Sequence, residues 1–284
     1  MSQNNEKENL LEKLECLKAE IPNMNMFRDL FAQAVLMDNA ACEHILHILT
    51  GNKTLVVKKN NIQHLISKLT SHSIIMDVLV EDADHKLYEI EIQKADGNIA
   101  HEKRMLYYAS TIINDYFFKG DQTYASVPEL HIFYISETDI WKKGKTFYKV
   151  LKHLGDLDTP YDDGLHMYYL NAAVDDGSVI ANLMKYFKTA DANDNSQGSL
   201  SKRINTIKTQ KEGSTFMDEL LKEALNIGKA EGLAEGLTKG KNQEKIATAK
   251  RLLRMHLSIQ DIAKATMLSI AEIKELQDEL LQPV

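Results

Sequence analysis

The stretch Ile74–Gln93, IIMDVLVEDADHKLYEIEIQ, decides the fold. Ile74–Val80 and Leu87–Gln93 each alternate apolar and polar residues with period two, and EDADHK between them has turn composition, so the pair reads as a β-hairpin. With residues 82–86 in the turn and Asp84 at its centre, Asp77 falls opposite Glu91 and Ile75 opposite Gln93. Side-chain alternation then sets Asp77, Glu89, Glu91 and Gln93 on one face. Met76, Val78, Val80, Ile90 and Ile92 fall on the other, which is expected to form the core against helices. Facing carboxylates repel across a ladder unless a positive charge joins them. Mg²⁺ or Mn²⁺, which take carboxylate, amide and water oxygens, would supply that charge. The competing reading is an acidic face turned to solvent.

Working outward, Glu6–Ile21 reads as a short amphipathic helix that Pro22 and Asn23 end. Phe27–Leu49 is helical with a break near Asp38–Asn39, Thr54–Val57 is a short strand, and 62–69 has no clear assignment. After the hairpin a helix is predicted over Ile99–Phe118, closed by Lys119 and Gly120. Leu130–Ile135 and Leu165–Leu170 read as buried strands, and Ile180–Lys188 as a helix. The turn-forming segment DANDNSQGSLS at 191–201 marks the expected boundary between a core, residues 1–195, and a helical tail, residues 196–284. In that tail Gly228, Gly232, Gly236 and Gly240 recur every four residues, which keeps them near one helix face. They suit either self-association or a frayed linker. Lys245–Leu281 reads as three helices broken at Leu257–Ser258 and Leu268–Ser269, the rhythm of a helix-turn-helix. The would-be reading helix, SIAEIKELQDELL, is acidic, which favours packing or oligomerisation over DNA reading.

The bulk numbers are compatible with this. A 284-residue chain with 44% hydrophobic and 26% charged residues is ordinary for a globular protein. No apolar run approaches the roughly 20 residues that cross a bilayer. Two cysteines, Cys16 and Cys42, make no disulfide framework, and with a polar N-terminus they point to the reducing cytoplasm. The net charge of −7 argues against coating nucleic acid by bulk attraction, but not against a local basic groove. Between Lys202 and Arg254 there are 12 Lys/Arg against 7 Asp/Glu, so the basic charge gathers in the tail.

The hairpin, followed by EKRMLYYAS with Arg104, Tyr107 and Tyr108, resembles the PD-(D/E)XK nuclease superfamily. It is more similar to the branch of recombination-promoting nucleases and PD-(D/E)XK nuclease family transposases, whose pattern is D-x-x-V, a turn, then Y-x-x-E-x-Q. FFKGDQTYASVPELHIFYISETD, YYLN at 168–171 and the Gly-spaced tail with LSIQDIAKATMLSIAEIKEL extend the likeness over most of residues 25–280. The resemblance implies an α/β restriction-endonuclease-like core, with a mixed sheet of four or five strands flanked by helices, plus a helical C-terminal tail. It implies a Mg²⁺- or Mn²⁺-dependent endonuclease cutting DNA, linked to recombination or mobile elements. Asp77 and Glu91 would be the metal carboxylates, joined by an acidic residue of an early helix, Glu43 or else Asp38. Gln93 stands where the wider superfamily has lysine, and a neutral amide can hydrogen-bond water but supplies no charge. Arg104 would face phosphate with its planar fork of donors, unless it pairs with a neighbour such as Glu102. Tyr108, one turn later, would help position substrate, while Tyr107 belongs to the core. The alternative is a nuclease-fold module that binds DNA or a protein without cutting. A homodimer through the core or the C-terminal helices is a further expectation. WKKGKTFYK at 141–149 reads as a solvated basic loop or a nucleic-acid contact. His44 and His47, at i and i+3, read as ordinary helix-face residues or, with a third ligand, as a metal pair.

Overall fold

The computed structural model describes residues 15–16, 18–66, 74–94, 100–117, 120, 122–155, 157–211, 213, 215, 217, 236 and 240–281. The side chains of 62–66, 74–77 and 280–281 lie outside that description. Contacts divide the chain into two units, Met1–Leu221 and Lys222–Val284.

The expected break in the first long helix is real. A short 3₁₀ turn, Ile21–Asn23, precedes α1 (Asp29–Leu36) and α2 (Asn39–Thr50). Asp38 starts α2 by accepting a hydrogen bond from the Ala41 backbone N–H at 2.8 Å, and Gly51, at φ 73°, ends it. The chain then enters β1 (Val57–Ile66), β2 (Ile74–Asp82) and β3 (Leu87–Gln93). The first strand therefore begins where the expected Thr54–Val57 strand ends, and covers much of the unassigned stretch. After α3 (His101–Tyr116) come β4 (Leu130–Ser136), β5 (Phe147–Lys149) and β6 (Leu165–Asn171). Then follow α4 (Val179–Thr189) and α5 (Gly198–Thr209).

The strands form one six-stranded sheet in the order β1-β2-β3-β4-β6-β5. The β1–β2, β2–β3 and β5–β6 pairs are antiparallel, and β3–β4 and β4–β6 are parallel. The fold is α/β with a mixed sheet flanked by helices. It has six strands rather than four or five, because β5 lies inside the basic segment read as a loop. No helix among the described residues is long and apolar enough to cross a membrane.

The hairpin register is the one its sequence implies. Val78 pairs with Ile90, Leu79 with Glu89, Val80 with Tyr88 and Glu81 with Leu87, all symmetric about residue 84. Asp82 holds the turn: its Oδ1 accepts from the backbone N–H groups of Asp84 and Lys86, both at 2.9 Å, and its Oδ2 from the Tyr88 hydroxyl at 2.9 Å. On one sheet face Val78, Val80, Ile90, Ile92, Phe133 and Ile135 pack with the buried residues of α1, α2, α4 and α5. On the other, Leu79, Leu87, Ile132 and Tyr134 pack under Met105, Tyr108, Ala109 and Ile112 of α3. Those four α3 positions follow helical spacing and make the stripe that holds the helix on the sheet.

Because Leu200, Ile204 and Ile207 of α5 belong to the first core, residues 191–201 lie within the first unit, as the connection from α4 and the first turn of α5. Contacts thus place the division after Leu221, beyond the residue 195 boundary that composition suggests. Among the tail glycines, 228 and 232 lie outside the described residues. Gly236 and Gly240 are helical and exposed, with open space where a Cβ would stand.

The second unit holds α6 (240–254), α7 (Ile259–Thr266) and α8 (Ile270–Leu281), with breaks at the two Leu-Ser pairs. Ser258 caps α7 through the Asp261 N–H at 3.2 Å. Ser269 and Glu272 form a reciprocal capping box, with Ser269 N–H donating to Glu272 at 2.7 Å and Glu272 N–H donating to Ser269 at 3.2 Å. Ala249, Ile262, Leu268, Ile273 and Leu276 make its small core. The outer face of α8 presents Glu272, Glu275, Asp278 and Glu279 against Lys274, an acidic surface unsuited to a DNA groove.

Candidate functional site

Strand β3 is buried on both faces. Its even residues Tyr88, Ile90 and Ile92 enter the apolar core, and its odd residues point toward α3. Glu89 is 0% exposed and Glu91 1% exposed, so the reading of a solvated acidic face is overturned for these two. The α3 stripe covers them, and a period-two pattern in a strand with covers on both sides does not mark solvent.

A cation does meet Glu91, and it comes from the chain itself. An Arg104 guanidinium N–H donates to Glu91 Oε1, which also accepts from the Gln93 amide at 3.0 Å. Arg104 further donates to the Tyr108 hydroxyl at 3.1 Å, and its guanidinium lies 5.2 Å from the centre of that ring. Burial works against the Arg104 charge, but Glu91 and Tyr108 outweigh it and hold its pKa above the ordinary arginine value. Burial raises the Tyr108 pKa, and the nearby Glu91 charge adds to the rise. The Arg104 side chain is 22% exposed, so it stays partly open to solvent while its guanidinium is tied to Glu91.

Four of the expected site residues thus come together: Glu91, Gln93, Arg104 and Tyr108. The arginine pairs across the helix–strand interface with Glu91, not along the helix with Glu102. Tyr108 shares the Arg104 face, as expected, and is also buried in the α3 stripe, while Tyr107 is partly buried and packs against the same core. Asp77 lies on β2 as a backbone position, one residue beyond the Val78–Ile90 pair. The register carried one step further sets it opposite Glu91, and its side chain lies outside the described residues.

Glu43 is placed elsewhere. Its Oε1 accepts from the Val57 backbone N–H at 2.9 Å, and Val57 pairs with Asp82 at the turn end of the hairpin. Glu43 also rides on α2, which packs on the sheet face opposite Glu91. Asp38 is the α2 cap. His47 meets the Leu55 carbonyl at 2.8 Å and His44 meets Gln197 at 3.3 Å, which makes them ordinary structural histidines.

The basic segment opens beside Gln93, because the Glu137 N–H donates to the Gln93 carbonyl at 3.1 Å. Asp139 shapes it by accepting from the N–H groups of Lys142 and Gly144 and from the Tyr148 hydroxyl. Lys142, Lys143 and Lys145 are exposed, and Trp141 stands edge-on to Tyr169 at 5.2 Å. The loop therefore leaves the sheet at the Glu91–Gln93 end of the strands.

The donor set at this end, a carboxylate and an amide with a second carboxylate position across the ladder, is oxygen-rich and suits a hard divalent ion. Arg104 on Glu91 Oε1 is a competitor for that charge. The sequence reading passed over another group of ligand-type residues, Glu129, His131 and His166. Its one signal was repetition: LHIFYIS and LHMYYLN both open on Leu-His.

No protein-family model matches this chain, and no curated protein or solved structure does.

Proposed function

We propose that the chain is a metal-dependent nuclease of the PD-(D/E)XK kind that hydrolyses phosphodiester bonds in DNA. The observation that carries this reading is the buried Glu91 carboxylate, flanked by Gln93 and Arg104 at the end of the sheet where the lysine loop emerges. Asp77 and Glu91 would hold Mg²⁺ or Mn²⁺, with the Gln93 amide oxygen beside them. The ion, when bound, supplies positive charge to the phosphoryl group and acidity to a water. Arg104 offers its remaining N–H donors to phosphate, with Tyr108 bracing the guanidinium. Gln93 orients water by hydrogen bonding. Lys142, Lys143 and Lys145 attract the nucleic-acid backbone. The link to recombination or mobile elements rests on the sequence resemblance alone.

The experiment is a plasmid-cleavage assay with Mg²⁺ or Mn²⁺. Cleavage by the native protein and its loss in the Asp77→Ala, Glu91→Ala double variant are expected. Undiminished cleavage by that variant rejects the site.

A second reading has its own observation. Arg104 already neutralises Glu91, as in a fold kept for binding DNA or a protein without hydrolysis. Calorimetry separates the two: heat of binding at millimolar Mg²⁺ supports the enzyme, and silence supports the binding module.

A further inference from the structure

Glu129 immediately precedes β4, His131 is the second residue of β4, and His166 is the second residue of β6. His131 and His166 are register partners in the parallel β4–β6 ladder, so their side chains leave the same face on neighbouring strands, about 4.8 Å apart. The two imidazoles stack at 4.5 Å between centres and 24° between planes. That stacking turns both Nε2 atoms toward one carboxylate oxygen: Glu129 Oε1 lies 3.0 Å from His131 Nε2 and 3.5 Å from His166 Nε2. All three ligand atoms lie within 4.8 Å of one another.

A tetrahedral zinc with Zn–N distances of about 2.0–2.1 Å separates its ligand atoms by about 3.3 Å. The observed 3.0 and 3.5 Å bracket that spacing. The supporting contacts are also those a metal-binding histidine uses. His131 Nδ1 is 3.3 Å from the Tyr168 hydroxyl, a contact that orients the ring with Nε2 directed at Glu129. Tyr88 stacks on the other side of His131 at 5.0 Å. Lys86 holds the second Glu129 oxygen at 2.8 Å, fixing the carboxylate while leaving Oε1 directed at the histidines. Asp162 Oδ1 stands 3.8 Å from His166 Nε2, on the solvent side where a fourth ligand or a water would enter.

We propose that Glu129, His131 and His166 bind one zinc ion, with the fourth position open to water or Asp162. Two imidazoles and one carboxylate select zinc or a similar borderline metal over Mg²⁺. The site is independent of the nuclease reading. His131 shares the sheet face of Tyr88 and Phe133, opposite Glu91, and lies three residues before Tyr134, the β4 partner of Glu91. The competing occupant is a proton shared between Glu129 and His131.

The test is calorimetric titration of the chelator-treated full chain with Zn²⁺, read beside the visible spectrum of a Co²⁺-loaded sample. The native protein should bind Zn²⁺ with micromolar or tighter affinity and show the intense bands of tetrahedral Co²⁺. His166→Gln, at a part-exposed position, should lose both with an unchanged circular-dichroism spectrum. Glu129→Gln is the second variant, should His166→Gln unfold. Tyr168→Phe should weaken binding about tenfold. The Asp77→Ala, Glu91→Ala protein should bind zinc as the native one does, so the two sites stand or fall separately. Absence of zinc binding in the native chain, or equal binding with both His166→Gln and Glu129→Gln, overturns the site.

Discussion

One seven-residue strand, LYEIEIQ, serves two interiors with opposite chemistry. Ile90 and Ile92 enter an apolar core, where burial is favourable by itself. Glu89 and Glu91, their neighbours in the chain, are buried as deeply beneath α3, where a carboxylate is tolerated only with hydrogen bonds and positive charge around it. Arg104 and Gln93 meet that need at Glu91. The contrast teaches that burial alone does not explain β3. A buried ion pair is weak evidence for stability, since well-packed apolar side chains often do as well or better. Retaining charge on the α3 side therefore supports a chemical use for it.

The sharpest way to break the contrast is to remove the cation. Arg104→Ala should cost about 3–5 kcal/mol in urea unfolding, because the Glu91 charge stays buried without its arginine. The Glu91→Leu, Arg104→Met double variant should recover most of that loss while abolishing any cleavage. A cost below about 1 kcal/mol for Arg104→Ala, the range of exposed pairs, removes the distinction between the two faces.

On the apolar face, Ile90→Ala should cost about 3 kcal/mol, through lost burial and the cavity left beneath α1 and α2. The difference from Arg104→Ala is expected in the rescue. No single change elsewhere restores Ile90→Ala, whereas a second substitution at Glu91 restores the other face. Urea midpoints of the three variants and the native protein check both statements.

How far the sequence reached follows from the range of each interaction. The hairpin register was legible because alternation and turn chemistry act between neighbouring residues, and the helix breaks near Asp38–Asn39 and at Leu257–Ser258 for the same reason. The Arg104–Glu91 pair was not. The helix pattern invited a partner along α3 such as Glu102, and only the packing of α3 on β3 shows which carboxylate lies below. Glu129, His131 and His166 were harder still, since they meet through the parallel pairing of β4 with β6, two strands separated by β5. The three-residue strand β5 was hidden because Lys142, Lys143 and Lys145 dominate the composition around it. On candidate function, the sequence located Glu91, Gln93, Arg104 and Tyr108 as one constellation, but not that the arginine would rest on the glutamate.

The smallest effect concerns a carboxylate held by backbone and hydroxyl donors at the surface, a third way of managing negative charge beside the two interiors of β3. Asp176 accepts from the Ser178 N–H at 3.1 Å and the Thr146 N–H at 3.3 Å, joining the start of α4 to the loop before β5. Bonds from Ser178, with help from Thr146, pull its pKa down to about 2. The unfolded value is about 3.9, so the stabilisation is complete above that pH and disappears as pH falls through 2. Asp176→Asn keeps an acceptor but not the charge. Its stability deficit relative to the native protein should therefore be constant near neutrality and shrink between about pH 4 and pH 2. Thermal unfolding of both proteins across that interval checks it. A deficit that does not change with pH means that the loop is held by shape alone. Charge-dependent stability would then be confined to the α3 side of β3.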